Sequence, residues 1–227
     1  MFYKDPLYGY WELPDFIEEL LHTKELVRLR KISQVCLPNS FTLRGPMPNR
    51  TQHGLGVCRL SMCVLENNPN LEKYKRVLPI AAILHDAGNS ALSHLGEHFL
   101  REMTGKDGET FLEDILKGSE TEKLLLEMKI DIDLVLKLIT GRIKPMSDIL
   151  NGSLDIDNLD NVGRYASAEK LDVSFDAMRI ARSFKFIDNE WTLPSSLYCE
   201  AMKWKKAREA VYGNLYCDAE LIPGTNI

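Results

Sequence analysis

The sequence lacks the features that would settle its class at a glance. Its five cysteines, Cys36, Cys58, Cys63, Cys199 and Cys217, are odd in number and include no CxxC pair. That argues against a cysteine-bound zinc, and they read as reduced thiols in the cytosol, mostly small buried apolar side chains. No apolar stretch approaches the length of a membrane-spanning helix; the run from Val77 to Leu84 is interrupted by Pro79. The opening residues, MFYKDPLYGYWELPDF, have no charged segment followed by an apolar one, so no secretory leader is expected. Basic residues are not in excess: 28 Lys and Arg face 33 Asp and Glu, a formal net charge of −5. Such a chain repels a polyanion unless its cations are gathered in one place, so nucleic acid is disfavoured as a partner. No repeat, linker or low-complexity tract stands out.

What is present is helical patterning. With 227 residues, 44% hydrophobic and 27% charged, the chain is long enough to bury a sizeable core as one domain over 1–227. Residues 15–34 carry apolar side chains at three-to-four spacing. Residues 36–52 hold Pro38, Gly45, Pro46 and Pro48 and read as a long loop, a length often tied to function. Helices are predicted over 53–66, 74–85, from a Ser90 cap toward Met103, 110–117, 120–128, 131–141, 155–170 and 196–216, with a turn at 67–70, a loop at 104–109 and a loose tail. Residues 179–193 alternate loosely and turn at Asp188-Asn189, which suggests a small β-hairpin. The expected fold is therefore all-α, or mainly α, with one minor hairpin near 179–193.

Four of only five histidines lie between positions 53 and 98. His85-Asp86 ends the apolar run AAILHDAG, where a charged carboxylate is costly unless paired or bound to a cation. Neutral imidazole and carboxylate are both good ligands for a first-row divalent metal, and Gly88 allows the chain to turn so that adjacent residues face one ion. The pair can equally do no more than cap its own helix. His53 stands at a helix start after the long loop. Asp155, Asp157 and Asp160 open the helix 155–170, where acidic residues also suit the helix dipole. A metal site rests on the set rather than on any member.

That set, H…HD…D, is the ordered ligand pattern of the HD-domain metal-dependent phosphohydrolases, here His53, His85-Asp86 and Asp157. Six segments in order resemble the deoxynucleoside triphosphate triphosphohydrolase branch of that superfamily: DPLYGYWEL (5–13), LVRLRKISQ (26–34), RTQHGLGV (50–57), HDAGNSALSH (85–94), LDIDNLDNVGR (154–164) and KKAREAVYGNLY (205–216). The resemblance covers nearly the whole chain and implies an HD-domain helical bundle, with a metal core over about 50–170 and a hairpin and helix over 179–216. It implies one divalent transition metal (Mn, Fe, Ni, Co or Zn, with Mg the further option), held by His53, His85, Asp86 and Asp157. It implies a nucleotide substrate, water attack on phosphorus, a cytoplasmic setting and no membrane partner. Homo-oligomers are common among such relatives. Arg50 matches an arginine that touches a substrate phosphate. Gln34 and Asn161 fall at positions that contact the nucleoside sugar. Arg208, Tyr212 and Tyr216 fall at i, i+4 and i+8 on one helix face and are substrate-binding candidates; by resemblance Arg208 would reach phosphate and Tyr216 would flank the sugar or base. His94 and Glu97 match family positions suited to a general acid or to orienting the ligands. Ordinary core packing is the alternative for the two tyrosines, and a solvated helix face is the better reading of Lys203, Lys205 and Lys206. His98 reads as a surface residue.

Departures from the pattern bear on activity. Asn89 stands where the branch usually has His, and Asn cannot shuttle a proton at neutral pH. A further loop histidine has no counterpart in TGKDGE (104–109). Asn161 replaces a tyrosine that packs on the sugar, Tyr165 replaces an aspartate, and Asn158 replaces a lysine. Three readings remain: an HD phosphohydrolase acting on a (deoxy)nucleoside tri- or monophosphate; a nucleotide-binding regulatory module that has lost turnover; and, last, a two-metal oxygenase or cyclic-dinucleotide phosphodiesterase, which needs histidines beyond those present.

Overall fold

The first twelve residues form a hairpin that the helical periodicity hides. Strand β1 (Phe2–Asp5) pairs antiparallel with β2 (Gly9–Glu12), with Tyr3 opposite Trp11. Its turn is built by Asp5, whose Oδ1 accepts from the amides of Leu7 (2.8 Å) and Tyr8 (3.2 Å), and by Gly9 at φ +71°. An aspartate that bonds two residues ahead and a glycine in the left-handed region are the ordinary chemistry of such turns. The computed structural model describes residues 1–34, 48–91 and 96–219, with side chains as far as Gly213.

The segment 15–34 is two helices rather than one: α1 (Asp15–Leu20) and α2 (Lys24–Leu29). The break is local chemistry. Thr23 Oγ1 donates to the Leu20 carbonyl at 2.8 Å, and Thr23 itself is extended. A threonine hydroxyl that takes a backbone carbonyl competes with the helical ladder.

The long helix α3 (Arg50–Glu66) starts three residues earlier than predicted, because Asn49 and Gln52 form a reciprocal capping box. Asn68 follows the helix within a turn led by a 3-10 segment (Pro69–Tyr74). Helix α4 (Val77–Leu84), all eight residues of which are buried, is the apolar run read from the sequence, shortened at its start. Pro79 lies in its first turn, where its missing N–H has no helical acceptor to lose. Helices α3 and α4 pack closely: a Cβ on Gly54 would stand 3.3 Å from both the Ile83 side chain and its carbonyl.

Four helices follow: α5 (Glu97–Thr104), α6 (Gly108–Leu116), α7 (Glu120–Glu127) and α8 (Ile132–Ile139). The helix expected to begin at Ser90 is described only from Glu97. A short α9 (Asp148–Asn151) leads into α10 (Ile156–Glu169), capped by Asp155, whose carboxylate accepts from the Asn158 amide at 2.6 Å. Helix α10 packs on α3 and α12, and α11 (Ala177–Ser183) also packs on α3. The hairpin predicted over 179–193 is therefore a helix in its first part. The strands are β3 (Lys185–Ile187) and β4 (Glu190–Thr192), joined by Asp188 and Asn189 at φ 50° and 63°. Two successive positive φ values match the twist of a two-residue hairpin, and Asp and Asn tolerate them. Asn68 ties this hairpin to the end of α3: its Nδ2 donates to the carbonyls of Val64 and Phe184, and its Oδ1 accepts from the Phe186 amide. A final helix α12 runs Tyr198–Ala219.

Among the described residues there are twelve α-helices and two small hairpins, the mainly α helical bundle expected. One cluster of buried hydrophobic side chains extends from Trp11 to Val211, with α3 and α4 at its centre. Cys58 and Cys63 are buried in it, whereas Cys199 is exposed. No helix among the described residues is long and apolar enough to cross a membrane.

Candidate metal centre

Three elements meet where the histidines are. Helix α3 contributes His53 from its first turn, the end of α4 contributes His85 and Asp86, and the first turn of α10 contributes Asp157. One donor atom from each of His53, His85 and Asp157 lies within 4.8 Å of the other two. His53 Nε2 is 2.9 Å from Asp157 Oδ1, and His85 Nε2 is 3.7 Å from the same oxygen. Asp86 Oδ2 is 3.7 Å from His53 Nε2 and 3.6 Å from His85 Nε2. The histidine rings stand edge to face, with centroids 5.1 Å apart.

The donor set suits a divalent cation. His85 Nδ1 faces the Ala82 carbonyl at 2.8 Å, and a carbonyl only accepts, so Nδ1 carries a proton. His85 Nε2 is buried without a hydrogen-bond partner. Two imidazole nitrogens and carboxylate oxygens converging within a few ångströms are ligands for a first-row metal, and none of them demands a thiolate-selective ion.

Fixed neighbours surround the cluster. Arg50 Nη1 donates to Asp86 Oδ2 at 2.7 Å, with both side chains less than a tenth exposed. Asn89 Nδ2 donates to the other Asp86 oxygen at 2.6 Å. Arg28, on α2, donates to the carbonyls of Ala87 (2.6 Å) and Asn89 (2.7 Å) and so clamps the turn after the His-Asp pair. Gly88 is needed in that turn, because a Cβ there would overlap the Gly108 carbonyl at the start of α6. His53 Nδ1 faces Asp160 Oδ2 at 2.8 Å.

These contacts set the charge states. Burial alone would favour neutral His53, but the hydrogen bonds and charges of Asp157 and Asp160 outweigh it and raise its pKa to about 9. Burial likewise opposes ionisation of Asp86. The nearby His85, Arg50 and His53 outweigh it and hold Asp86 well below the usual carboxylate range. Asp157 and Asp160 are lowered against burial, Asp157 chiefly by His53 and Asp160 chiefly by Arg164. Asp155 goes the other way, to about 7, because burial and the adjacent Asp157 charge exceed the help from Asn158 and Arg208. Glu109, in the first turn of α6, is also raised. Burial of its carboxyl leads, and Asp107, Asp157 and Asp86 add to it against His85, although the residue as a whole stays exposed.

The other residues singled out in the sequence divide. Gln34 is buried, and its Nε2 donates to Asn161 Oδ1 at 2.7 Å, so these two stand together one helical turn from Asp157. Arg208 lies over the Tyr212 ring, 4.7 Å from its centroid, and its charge is felt at Asp155, which places it toward the start of α10. Tyr212 also packs against the core. Glu97 opens α5, with Arg101 3.9 Å from its carboxylate, and is outside the His53–His85–Asp157 cluster. His94 lies outside the described residues, as does the side chain of Tyr216. His98 is exposed and faces Glu102 at 3.2 Å. The sequence marks Asp160 only as one of three carboxylates at the start of a helix, and it places Asp5, Arg28 and Arg164 inside segments that resemble the triphosphohydrolase branch without giving them a role. The i, i+4 spacing of Asp160 and Arg164 in LDNVGR is the signal for that pair, and Glu109 has none.

With this geometry in place, comparison with known proteins gives a consistent direction. The chain is 30% identical over 178 residues to an uncharacterized protein of Mycoplasma pneumoniae, the MG461 homolog, covering 70% of this chain and 41% of that one. It is 26% identical over 205 residues to the deoxynucleoside triphosphate triphosphohydrolase SAMHD1 homolog of Dictyostelium discoideum, covering 82% of this chain and 40% of that one. The chain thus spans about two fifths of the length of these relatives. Its fold matches a hypothetical protein from Aquifex aeolicus with a TM-score of 0.82 at 23% identity, over 93% of this chain and 58% of that one. No family model matches. One of these relatives carries a triphosphohydrolase name, and the His53–His85–Asp157 cluster of this chain could hold a metal ion.

Proposed function

We propose that the protein is a metal-dependent phosphohydrolase of the HD class acting on a nucleotide, with His53, His85, Asp86 and Asp157 as the metal ligands. The observation that carries the reading is the convergence of His53 Nε2, His85 Nε2 and Asp157 Oδ1 within 4.8 Å, with Asp86 Oδ2 beside both imidazoles. A divalent ion in such a set supplies Lewis-acid polarisation of a phosphoryl oxygen and acidifies water. The chain's own residues do the rest. Arg50 holds Asp86 in place and brings a fixed positive charge to the edge of the centre, where charge develops on phosphorus-bound oxygens. Arg208, from α12, adds a second cation near the start of α10 and is suited to a phosphate of the substrate. Gln34 and Asn161 offer amide groups to a sugar hydroxyl from the adjoining turn of α10. Asp155, which burial and the Asp157 charge raise to about 7, is a carboxyl able to exchange a proton close to the centre.

A second reading has one observation in its favour. Asn89 is committed to a hydrogen bond with Asp86, and an amide transfers no proton at neutral pH. This favours a nucleotide-binding regulatory module that keeps its metal site without turnover.

The deciding experiment is to purify the protein, measure bound metal, and incubate it with dNTPs, NTPs and mononucleotides in added manganese while resolving the products. Turnover supports the enzyme, and the released group separates a triphosphohydrolase from a stepwise phosphatase. Metal bound without turnover on any of these substrates overturns the enzyme reading in favour of the regulatory module. Absence of any bound divalent ion overturns both.

A further inference from the structure

We infer that Asp160, Arg164 and Asp5 form a chain of buried ion pairs that positions His53 as a metal ligand, and that the N-terminal hairpin is thereby part of the metal-binding machinery. The inference rests on the metal centre proposed above. It adds three positioning residues and one structural element that lies far from the centre in sequence.

The chain is continuous. His53 Nδ1 meets Asp160 Oδ2 at 2.8 Å, Arg164 Nε donates to the same Asp160 oxygen at 2.7 Å, and Arg164 Nη2 donates to Asp5 Oδ2 at 2.7 Å. The Asp160, Arg164 and Asp5 side chains are all less than a twentieth exposed. A charge so buried is tolerated only when paired, and here carboxylate, guanidinium and carboxylate alternate. Asp157, Asp160 and Arg164 sit at i, i+3 and i+7 on α10 and therefore share one helix face. The imidazole of His53 is consequently held from both ends by that face, by Asp157 at Nε2 and by Asp160 at Nδ1.

Holding His53 this way has a chemical consequence. A carboxylate at Nδ1 keeps the proton on that nitrogen and leaves Nε2 as the metal-facing donor. It also fixes the ring plane and raises the basicity of the ligand. Arg164 keeps Asp160 ionised, and Asp5 balances Arg164.

Two further observations show that space has been made for this chain. Gly56 lies three residues after His53 on α3, and a Cβ there would overlap both Asp160 Oδ1 and Arg164 Nη2. The other oxygen of Asp5 accepts from the amides of Leu7 and Tyr8, so one carboxylate both closes the hairpin turn and ends the ion-pair chain. The Tyr8 ring, from the same turn, faces the Arg164 guanidinium at 5.7 Å. A hairpin merely covering the core would need only its apolar side chains, Tyr3 and Trp11. Instead it ends in an aspartate aimed at the arginine behind the ligand.

The test compares full-length wild type, Asp160→Asn and Asp5→Asn, each loaded with zinc and carrying 15N-labelled histidine. Five histidines give a spectrum in which His53 can be assigned. Wild type should show a hydrogen-bonded Nδ1–H on His53 in slow exchange. Asp160→Asn, which can keep an acceptor oxygen but not the charge, should shift that signal and speed its exchange, and should bind zinc about 10- to 100-fold more weakly, the range seen when a partner behind a ligand is removed. Asp5→Asn keeps an oxygen for the turn amides and removes only the charge facing Arg164. It should weaken zinc several-fold while the Leu7 and Tyr8 amide signals stay in place. A purely structural role would lower thermal stability without moving zinc affinity or the Nδ1–H signal. If both variants fold and bind zinc within twofold of wild type, the inference is wrong while the metal centre stands. If Asp160→Asn does not fold, Asp5→Asn decides alone: unchanged zinc affinity overturns the inference. If wild type itself binds no zinc, manganese or iron, the metal reading fails and the inference falls with it.

Discussion

His85 Nδ1 donates to the Ala82 carbonyl three residues behind it at 2.8 Å, and this bond fixes what its other nitrogen can be. With the proton on Nδ1, Nε2 is left as a lone-pair donor aimed at Asp157 and Asp86, 3.7 and 3.6 Å away. Replacing His85 with Ala removes that donor without touching the core behind it. Metal affinity should fall by more than about 100-fold, beyond the loss expected for an outer partner. Calorimetry or metal analysis after dialysis reads it, and unchanged metal content in both His85→Ala and Asp157→Ala would remove the ligand assignment.

Arg50 and Asp86 make a buried pair, so breaking it strands a charge. Arg50→Ala should lower the stability of the metal-free protein by about 3 kcal/mol, in the range for removing one member of a buried ion pair. Added metal should restore part of the loss, because a cation can replace the missing charge on Asp86. Thermal melts with and without manganese measure this. Equal destabilisation in both conditions would mean that Asp86 does not face the metal.

The raised pKa of His53 gives a pH dependence with a definite sign. In the metal-free protein the charged imidazolium is favoured by Asp157 and Asp160, and the folded value of about 9 exceeds the unfolded 6.5. The associated stability is fully present below pH 6.5 and is lost as pH rises toward 9. Metal binding runs the opposite way, since a ligand nitrogen must shed its proton. Affinity should climb between pH 6.5 and 9, with proton release seen by calorimetry in buffers of different ionisation enthalpy. A flat metal affinity across that window would contradict the role given to His53.

Asn89 holds Asp86 through a 2.6 Å hydrogen bond and is itself clamped by Arg28. Asn89→Ala should weaken metal binding by about tenfold, the lower end for a partner behind a ligand. Asn89→His places an imidazole where the resembled branch carries one. If the protein is a regulatory module only for want of that group, this variant should gain nucleotide turnover. Turnover equal to wild type in Asn89→His would show that residue 89 does not limit the reaction.

Gly56 tests the packing. Gly56→Ala introduces a methyl into the space taken by Asp160 and Arg164. Overpacking of this kind typically costs about 1 to 3 kcal/mol. A denaturant melt indistinguishable from wild type would show that the ion pairs shift aside freely.

A mainly α fold and the order of the ligand candidates can be read directly from the residues. Helical periodicity survives in a single chain because it is a local repeat, so α3, α4, α7, α8 and α10 were legible within a few residues. The Asp188-Asn189 turn was legible because two positive φ values demand such residues. Boundaries set by one side chain were not: the Thr23 hydroxyl that splits 15–34, the Asn49 capping box and the helix over Ala177–Ser183 depend on which hydrogen bond wins. The N-terminal hairpin was missed for the same reason. Which charges meet depends instead on contacts between residues far apart in the chain. Arg50 and Asp86 are 36 residues apart, His53 and Asp160 are 107 apart, and Arg164 and Asp5 are 159 apart. No periodicity links such positions. The first two pairs exist because packing α3 between α4 and α10 removes water from these groups, and the third because the N-terminal hairpin covers Arg164 on α10; a charge without water must find its opposite.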